Sequence, residues 1–254
     1  MNALPPSAAT GRGGVWLLSA LALVMFAALL ALGFWQLERL QWKEALIATI
    51  EDRVHSPPRP LLEIERSYFA TGDVEYRPVS MAGEFLHGAE RHFFATWQGQ
   101  SGYNVYTPLR LDDERIVFVN RGFVPFDKKE PATRPQGQVG GEVTVSGLAR
   151  NPLAAKPSFI VPDNQPEKNL FYWKDIEAMQ TSAGLPPGTQ VVPIFVDAGD
   201  AANPGGLPVG GVTIVSLPNN HLQYVVTWFG LAAALAAVFV AWLWRVRFPQ
   251  APRP

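Results

Sequence analysis

Between Gly13 and Leu37 the chain runs for 25 residues without a charged side chain, and Val15–Phe34 is apolar apart from Ser19 and Gly33. A second such stretch begins after Asp200 and ends at Arg245, and its densest part, Leu222–Trp244, is 23 residues long. Twenty helical residues at about 1.5 Å each cover the roughly 30 Å of bilayer hydrocarbon. Both stretches therefore read as membrane-spanning helices, since buried core helices are shorter, about 10–14 residues. The charged fraction of 17% falls below the roughly 25% usual for soluble domains, as two spans would require. Trp16 and Trp35, like Tyr224/Trp228 and Trp242/Trp244, sit toward opposite ends of their stretches, the pattern of aromatic belts at the two interfaces. A cleaved signal peptide is the alternative for the first stretch. Its length exceeds a signal's apolar region, and no small-residue cleavage site follows it, so an anchor is expected.

Orientation follows from the flanks. Arg12 precedes the first span, and Arg245, Arg247 and Arg253 follow the second, with no acidic residue in either tail. All 22 acidic residues lie between the spans, where the net charge is −5. Basic tails stay on the cytoplasmic side. The expected organisation is a cytoplasmic tail over 1–12, a transmembrane helix over 13–37, an extracytoplasmic domain over 38–220, a second transmembrane helix over 221–244 and a cytoplasmic tail over 245–254. The N-terminal tail is not the Arg-rich segment of a mitochondrial transit peptide, so a bacterial plasma membrane is the expected address.

Between the spans, Gln36–Arg53 continues the first helical pattern beyond the membrane, and Pro57-Pro58-Arg59-Pro60 breaks it. Alternating or β-branched runs follow at Val74–Leu86, Arg91–Trp97, Tyr103–Leu111, Ile116–Val124, Glu142–Leu148, Val191–Val196 and Val212–Val215. One short amphipathic helix is expected over about Leu170–Ala183, with Asp175 heading or interrupting it and Phe171/Tyr172/Trp173 covering a sheet edge or barrel end. The expected fold is an α+β membrane protein: two transmembrane helices flanking an antiparallel, β-rich, barrel- or sandwich-like domain with one short helix. Gly199–Gly211, rich in glycine and proline, is its return to the second span.

The chain has no cysteine, which excludes disulfide scaffolds, thiolate metal sites and cysteine nucleophiles. Hydrolase, metalloprotease, phosphate-loop and dinucleotide-binding signatures are absent, so no enzymatic machinery is visible, and a net charge of −1 gives no reason to expect a nucleic-acid partner. Four histidines remain. His55 reads as solvent-exposed. His87 and His92 fall with Glu84 and Glu90 in one hairpin, a mixture that could hold a divalent ion or form an ordinary polar tip.

His221 is placed differently. It lies in Pro218-Asn219-Asn220-His221-Leu222-Gln223-Tyr224, where the second span begins, and an Asn cap would put it in the first helical turn. The helix dipole disfavours imidazolium there and leaves a neutral ring with a free lone pair, the state a metal ligand needs. Tyr224 and Trp228 follow on the same face as an aromatic wall. Such an imidazole could hold an apolar iron-containing ring, or could simply cap and snorkel at the interface. Trp35 ends the first span, and Arg39, one turn on, could pair with haem carboxylates. Arg121, at a strand end, could do the same or form a structural ion pair. Ala27/Ala31 and Gly230/Ala234 are small residues four apart that would allow close helix contact.

Leu32-Gly33-Phe34-Trp35-Gln36-Leu37-Glu38-Arg39-Leu40-Gln41-Trp42-Lys43, Tyr76-Arg77-Pro78-Val79 leading to Gly83-Glu84-Phe85, and Thr107-Pro108-Leu109 resemble blocks of the surfeit locus family of cytochrome c oxidase assembly factors. Val119-Asn120-Arg121-Gly122-Phe123-Val124-Pro125 and Asn219-Asn220-His221-Leu222-Gln223-Tyr224, ending in Thr227-Trp228-Phe229, extend the resemblance in family order over nearly the whole chain. It implies a two-span inner-membrane protein that helps insert haem a into the catalytic subunit of haem–copper oxidases. It also implies that His221, matching the histidine regarded as haem ligand in bacterial members, is the metal-binding residue. Partners would be the cytochrome c oxidase catalytic subunit, haem a synthase and the lipid bilayer. Alternatives from other classes are a membrane scaffold that holds oxidase subunits without touching cofactor, and a metal-handling module using His87/His92. A haem-modifying enzyme has little acid–base equipment to draw on.

Overall fold

The computed structural model describes residues 12–213, 215 and 217–248. In chain order the helix α1 (Arg12–Val54) is followed by a two-residue strand β1 (Arg59–Pro60), α2 (Leu61–Thr71), β2 (Pro78–Phe85), β3 (Arg91–Trp97), β4 (Gln100–Arg110), β5 (Ile116–Pro125) and β6 (Glu142–Arg150). The short helix α3 (Ile176–Ser182), β7 (Val191–Ala198) and α4 (His221–Arg247) complete it. The expected tails lie outside the described residues up to residue 11 and from residue 249 on, as does the side chain of Arg12. The chain divides into two compact units, residues 1–48 with 216–254, and residues 49–215.

The first unit holds the two helices long and apolar enough to cross a membrane. Their large side chains are exposed along most of their length, among them Trp16, Leu17, Leu23, Val238, Val240 and Trp244. Lipid, rather than protein, suits such a surface. As the sequence suggests, α1 continues past the charge-free run, to Val54, and the chain breaks before Pro57.

The second unit is a barrel. Its sheet runs β1-β2-β6-β7-β5-β4-β3, and β2 also pairs with β4 through Glu84↔Arg110 and Phe85↔Leu109, which closes the ring. Alternation along β5 and β7 divides the core. Val117 and Val119 join Val192, Ile194 and Val196 in one cluster with residues from β2, β4 and β6, which fills the barrel. Phe118 and Phe195 point the other way and pack with Tyr106, Phe171 and Met179. A strand buried on both faces reads as a continuous apolar run, which is why Ile116–Val119 lacks visible alternation.

Three features depart from the sequence expectation. β5 pairs with β7 in parallel and with β4 antiparallel, so the otherwise largely antiparallel sheet is mixed. A two-residue side-chain period is the same for either direction, and the long connection between β5 and β7 supplies the crossover that parallel neighbours need. Second, α2 adds a further helix. Leu61, Ile64 and Tyr68 lie on the stripe that faces the barrel core, and Gly72 ends the helix at φ 71° with its N–H donating to the Tyr68 carbonyl. Third, α3 covers only the end of the expected Leu170–Ala183 helix. The Asp175 carboxylate accepts from the Ala178 N–H at 3.0 Å and starts the helix there. The preceding aromatics are extended instead, with the Phe171 N–H donating to the His92 carbonyl and the Phe94 N–H to the Phe171 carbonyl. Phe171 thereby covers the β3 edge of the sheet, as its aromatic character suggests. The run Val212–Val215 forms no strand at its described residues.

Ring closure depends on a missing side chain. A Cβ on Gly83 would meet the Arg110 carbonyl oxygen at 2.3 Å, across the β2–β4 contact. Gly83→Val is expected to lower stability by about 1–3 kcal/mol in thermal melts of the detergent-solubilised protein. Gly140→Val, where a Cβ meets nothing within 4 Å, serves as the control. Equal melting of the two variants would contradict the closure argument.

Candidate functional site

His221 is the first residue of α4. The expected Asn cap does not act through Asn220. Instead the Asn219 side-chain oxygen accepts from the His221 backbone N–H at 3.2 Å. The imidazole crosses to α1, where its Nδ1 lies 2.8 Å from Oε1 of Gln36. An amide oxygen can only accept, so Nδ1 carries the ring proton and donates it. In the neutral ring that tautomer leaves the lone pair on Nε2, which takes no hydrogen-bond partner among the described residues. The histidine is half-buried and Gln36 is 9% exposed.

The two helices can approach here because Gly33, one turn before Gln36, has no side chain. A Cβ there would sit 2.8 Å from the Phe229 ring. Phe34 meets the same ring edge-on at 5.3 Å between centroids, and Ala232 is buried further along α4. The helix contact thus uses Gly33 and Ala232. The small-residue pairs Ala27/Ala31 and Gly230/Ala234 are exposed, and a Cβ on Gly230 would meet nothing within 4 Å. Four-residue spacing marks a contact stripe in general but carries no information on which stripe is used.

Of the other residues singled out in the sequence, Trp228 is half-buried two turns beyond His221, on its face of α4. Tyr224 is 50% exposed at the flank of that face, and Trp35 is 55% exposed on α1. Arg39 stacks its guanidinium 3.8 Å over the Trp42 ring and forms no ion pair among the described residues. Neither Trp35 nor Arg39 shares in the His221 hydrogen bond. The residue that does, Gln36, has one signal in the sequence: it is the only side-chain amide in the charge-free run of the first span.

Arg121 belongs to the barrel unit and is committed inside it. Its Nη2 donates to the Gly137 carbonyl at 2.6 Å and to Oδ1 of Asn203 at 3.0 Å, while Nη1 lies 3.3 Å from Nδ1 of His87 and 3.8 Å from Glu90. Burial pulls its pKa down to about 10, which leaves it charged. The structural ion pair is therefore the role this arginine fills. Glu90 also pairs with buried Arg134. Burial raises the Glu90 pKa, but hydrogen bonding with His87 and Arg134 more than reverses this and leaves it below its ordinary value. His87 donates from Nε2 to the Val139 carbonyl at 2.8 Å. His92 sits on β3 against Tyr103, and burial pushes its pKa down to about 4. Among the described residues no three His, Asp or Glu side chains converge on a metal position. His55 is exposed, its Nδ1 2.7 Å from the Glu51 carbonyl oxygen.

The SURF1 family model matches residues 23–233. Surfeit locus protein 1 of Rattus norvegicus is 39% identical over 238 residues, which covers 85% of this chain and 71% of the rat protein. The Homo sapiens protein of the same name is 38% identical over 238 residues, covering 85% and 73%. A SURF1-like protein of Monosiga brevicollis is 35% identical over 249 residues, covering 92% and 90%.

Two outcomes follow from this geometry. With no native cysteine, Gln36→Cys with His221→Cys should cross-link through a short bismaleimide in detergent, and Gly33→Leu should abolish the product by forcing Phe229 away. A persisting cross-link would contradict the steric role of Gly33. For His92, the unfolded ring takes up a proton below pH 6.5, which the folded ring refuses until about pH 4. Stability is therefore lost as pH falls through this window. His92→Phe should remove on the order of 2–3 kcal/mol of the acid-induced loss, read from melts at pH 6.5 and pH 4.5. Parallel pH profiles of wild type and variant would contradict the assignment.

Proposed function

The chain belongs to the SURF1 family, and from that membership together with the His221–Gln36 pair we propose that it carries haem a for cytochrome c oxidase assembly. Family membership supports a role in oxidase assembly in general. The observation that carries the haem reading is the His221 ring itself, tied to Gln36 through Nδ1 with its Nε2 lone pair uncommitted. A neutral imidazole nitrogen is a common protein donor to haem iron, and a ligating histidine is usually fixed by a hydrogen bond at its other nitrogen. The donor set fits the group.

In this reading His221 is the metal ligand. Trp228 and Tyr224 continue from it as aromatic surface for the apolar ring, with Trp35 on the neighbouring helix. Arg39, without a carboxylate partner among the described residues, is available to the haem carboxylates once it leaves Trp42. The iron chemistry belongs to the oxidase that receives the haem; this chain binds, orients and releases, and its role is not catalytic. A single imidazole with apolar contact suits release better than a cage with two histidines would. Haem a synthase is the proposed source and the oxidase catalytic subunit the proposed recipient.

The two apolar helices suggest a membrane protein. The relatives described above are eukaryotic, and a bacterial plasma membrane with cytoplasmic termini and a periplasmic barrel is our proposal from the basic tails. A scaffold that holds oxidase subunits without binding haem is the second reading, favoured by the self-contained polar groups of the barrel.

Protein purified in detergent from cells that make haem a should show a pyridine haemochrome spectrum of that pigment. His221→Ala should reduce haem content more than about tenfold, since loss of even an outer-shell partner costs about 10–100-fold in metal affinity. Unchanged haem content in the variant, or a colourless wild type, would favour the scaffold.

A further inference from the structure

One buried amide in the helix pair, that of Gln36, has an uncommitted metal donor as its partner. We propose that Gln36 is a positioning residue that selects the tautomer and the donor strength of His221, and so sets how readily the cargo is released. This inference rests on the haem-carrying reading.

An amide oxygen has lone pairs and no proton to give. It accepts from Nδ1 at 2.8 Å, and of the two tautomers of a neutral ring only the one with Nε2 deprotonated can donate there. Without this acceptor, Nδ1 and Nε2 would compete for the proton, and the ring would be free to turn about its side-chain bonds. Gln36 is 9% exposed, so water competes poorly for its oxygen and the bond is electrostatically stronger than at a wet surface. The constraint comes from a different helix, 185 residues away in sequence, so it holds the imidazole toward α1. Gly33 makes that reach possible by admitting Phe229 against the backbone one turn earlier.

The chemical identity of the acceptor matters as much as its position. A carboxylate here would draw the Nδ1 proton strongly, push electron density to Nε2 and make it a more basic ligand. A neutral amide fixes the ring with much less of that effect. Glutamine therefore combines a determined tautomer with a donor of ordinary strength, which a molecule that must hand on its cargo requires. A carboxylate without a full charge partner would also be expensive to bury at this depth of a helix pair.

The test uses the full chain in detergent, loaded with haem a, and compares wild type, Gln36→Leu, Gln36→Glu and His221→Ala. Affinity is read by absorption titration, ligand strength by the iron–histidine stretching band of the ferrous form and by the midpoint potential, and release by transfer to apomyoglobin. Gln36→Leu should weaken binding by about 10–100-fold and move the stretching band to lower frequency. Gln36→Glu should bind at least as tightly as wild type, move the band to higher frequency, lower the potential and slow the transfer. If His221→Ala loses haem while both Gln36 variants keep the wild-type band, potential and transfer rate, the positioning role is overturned and the carrier reading stands. If His221→Ala keeps its haem, the carrier reading fails and this inference fails with it. A purely structural Gln36 would lower the melting temperature of Gln36→Leu while leaving the band and potential of Gln36→Glu at wild-type values. Should Gln36→Leu fail to fold, Gln36→Glu, which keeps the acceptor, decides by its band and potential alone.

Discussion

A polar side chain in an apolar helix pair must find its partner within that pair, because hydrocarbon offers none. Gln36 lies in a charge-free run of 25 residues and His221 opens the other apolar helix. Their hydrogen bond gives each a partner on the other helix, and it fixes more than helix packing. The acceptor on one helix selects where the proton of a neutral ring sits on the other. Gly33 and Phe229 are the steric conditions for this bond, and the exposed flanks of the two helices are free to face lipid.

The barrel unit solves the opposite problem, since it buries charge and disposes of it internally. Glu90 is shared among Arg134, Arg121 and His87. Arg150 bridges Glu75 and Asp197, at 2.7 and 2.6 Å, and Asn120 donates to the same Asp197 at 3.0 Å. Breaking one member of such a cluster leaves an uncompensated buried charge, a cost of about 3–5 kcal/mol, so these residues are tied to the fold. Arg121 and His87, which look like ligands in the sequence, are consumed as structural partners.

How much of this is legible in the sequence varies with the physics. The two long apolar helices are plain because a run of twenty uncharged apolar residues is too long for an ordinary core helix. The strand β3 is legible to the residue because Arg91–Trp97 is bounded by a turn on each side. Strand direction is not legible, since parallel β5 and β7 carry the same apolar runs as antiparallel ones would. α2 is legible in principle, through Leu61, Ile64 and Tyr68 ending at Gly72, but the preceding prolines hide it. At the site, His221 stands out by its place at a span boundary. Gln36 does not, because its role depends on a partner 185 residues away and nothing local announces that contact. The same limit applies to Arg121, whose partners Gly137 and Asn203 come from two separate loops.

The contrast between the two units bears on how such a chain can work. In the barrel, His87 is bonded at both ring nitrogens, and His92, held neutral by burial, has no hydrogen-bond partner at either ring nitrogen among the described residues but is only 2% exposed, which closes it off from a passing ligand. In the helix pair, one histidine is bonded at a single nitrogen and leaves the other open. The barrel ties Glu90, Asp197 and their arginines into its fold, whereas the His221–Gln36 bond ties together two helices whose remaining surface is apolar and exposed.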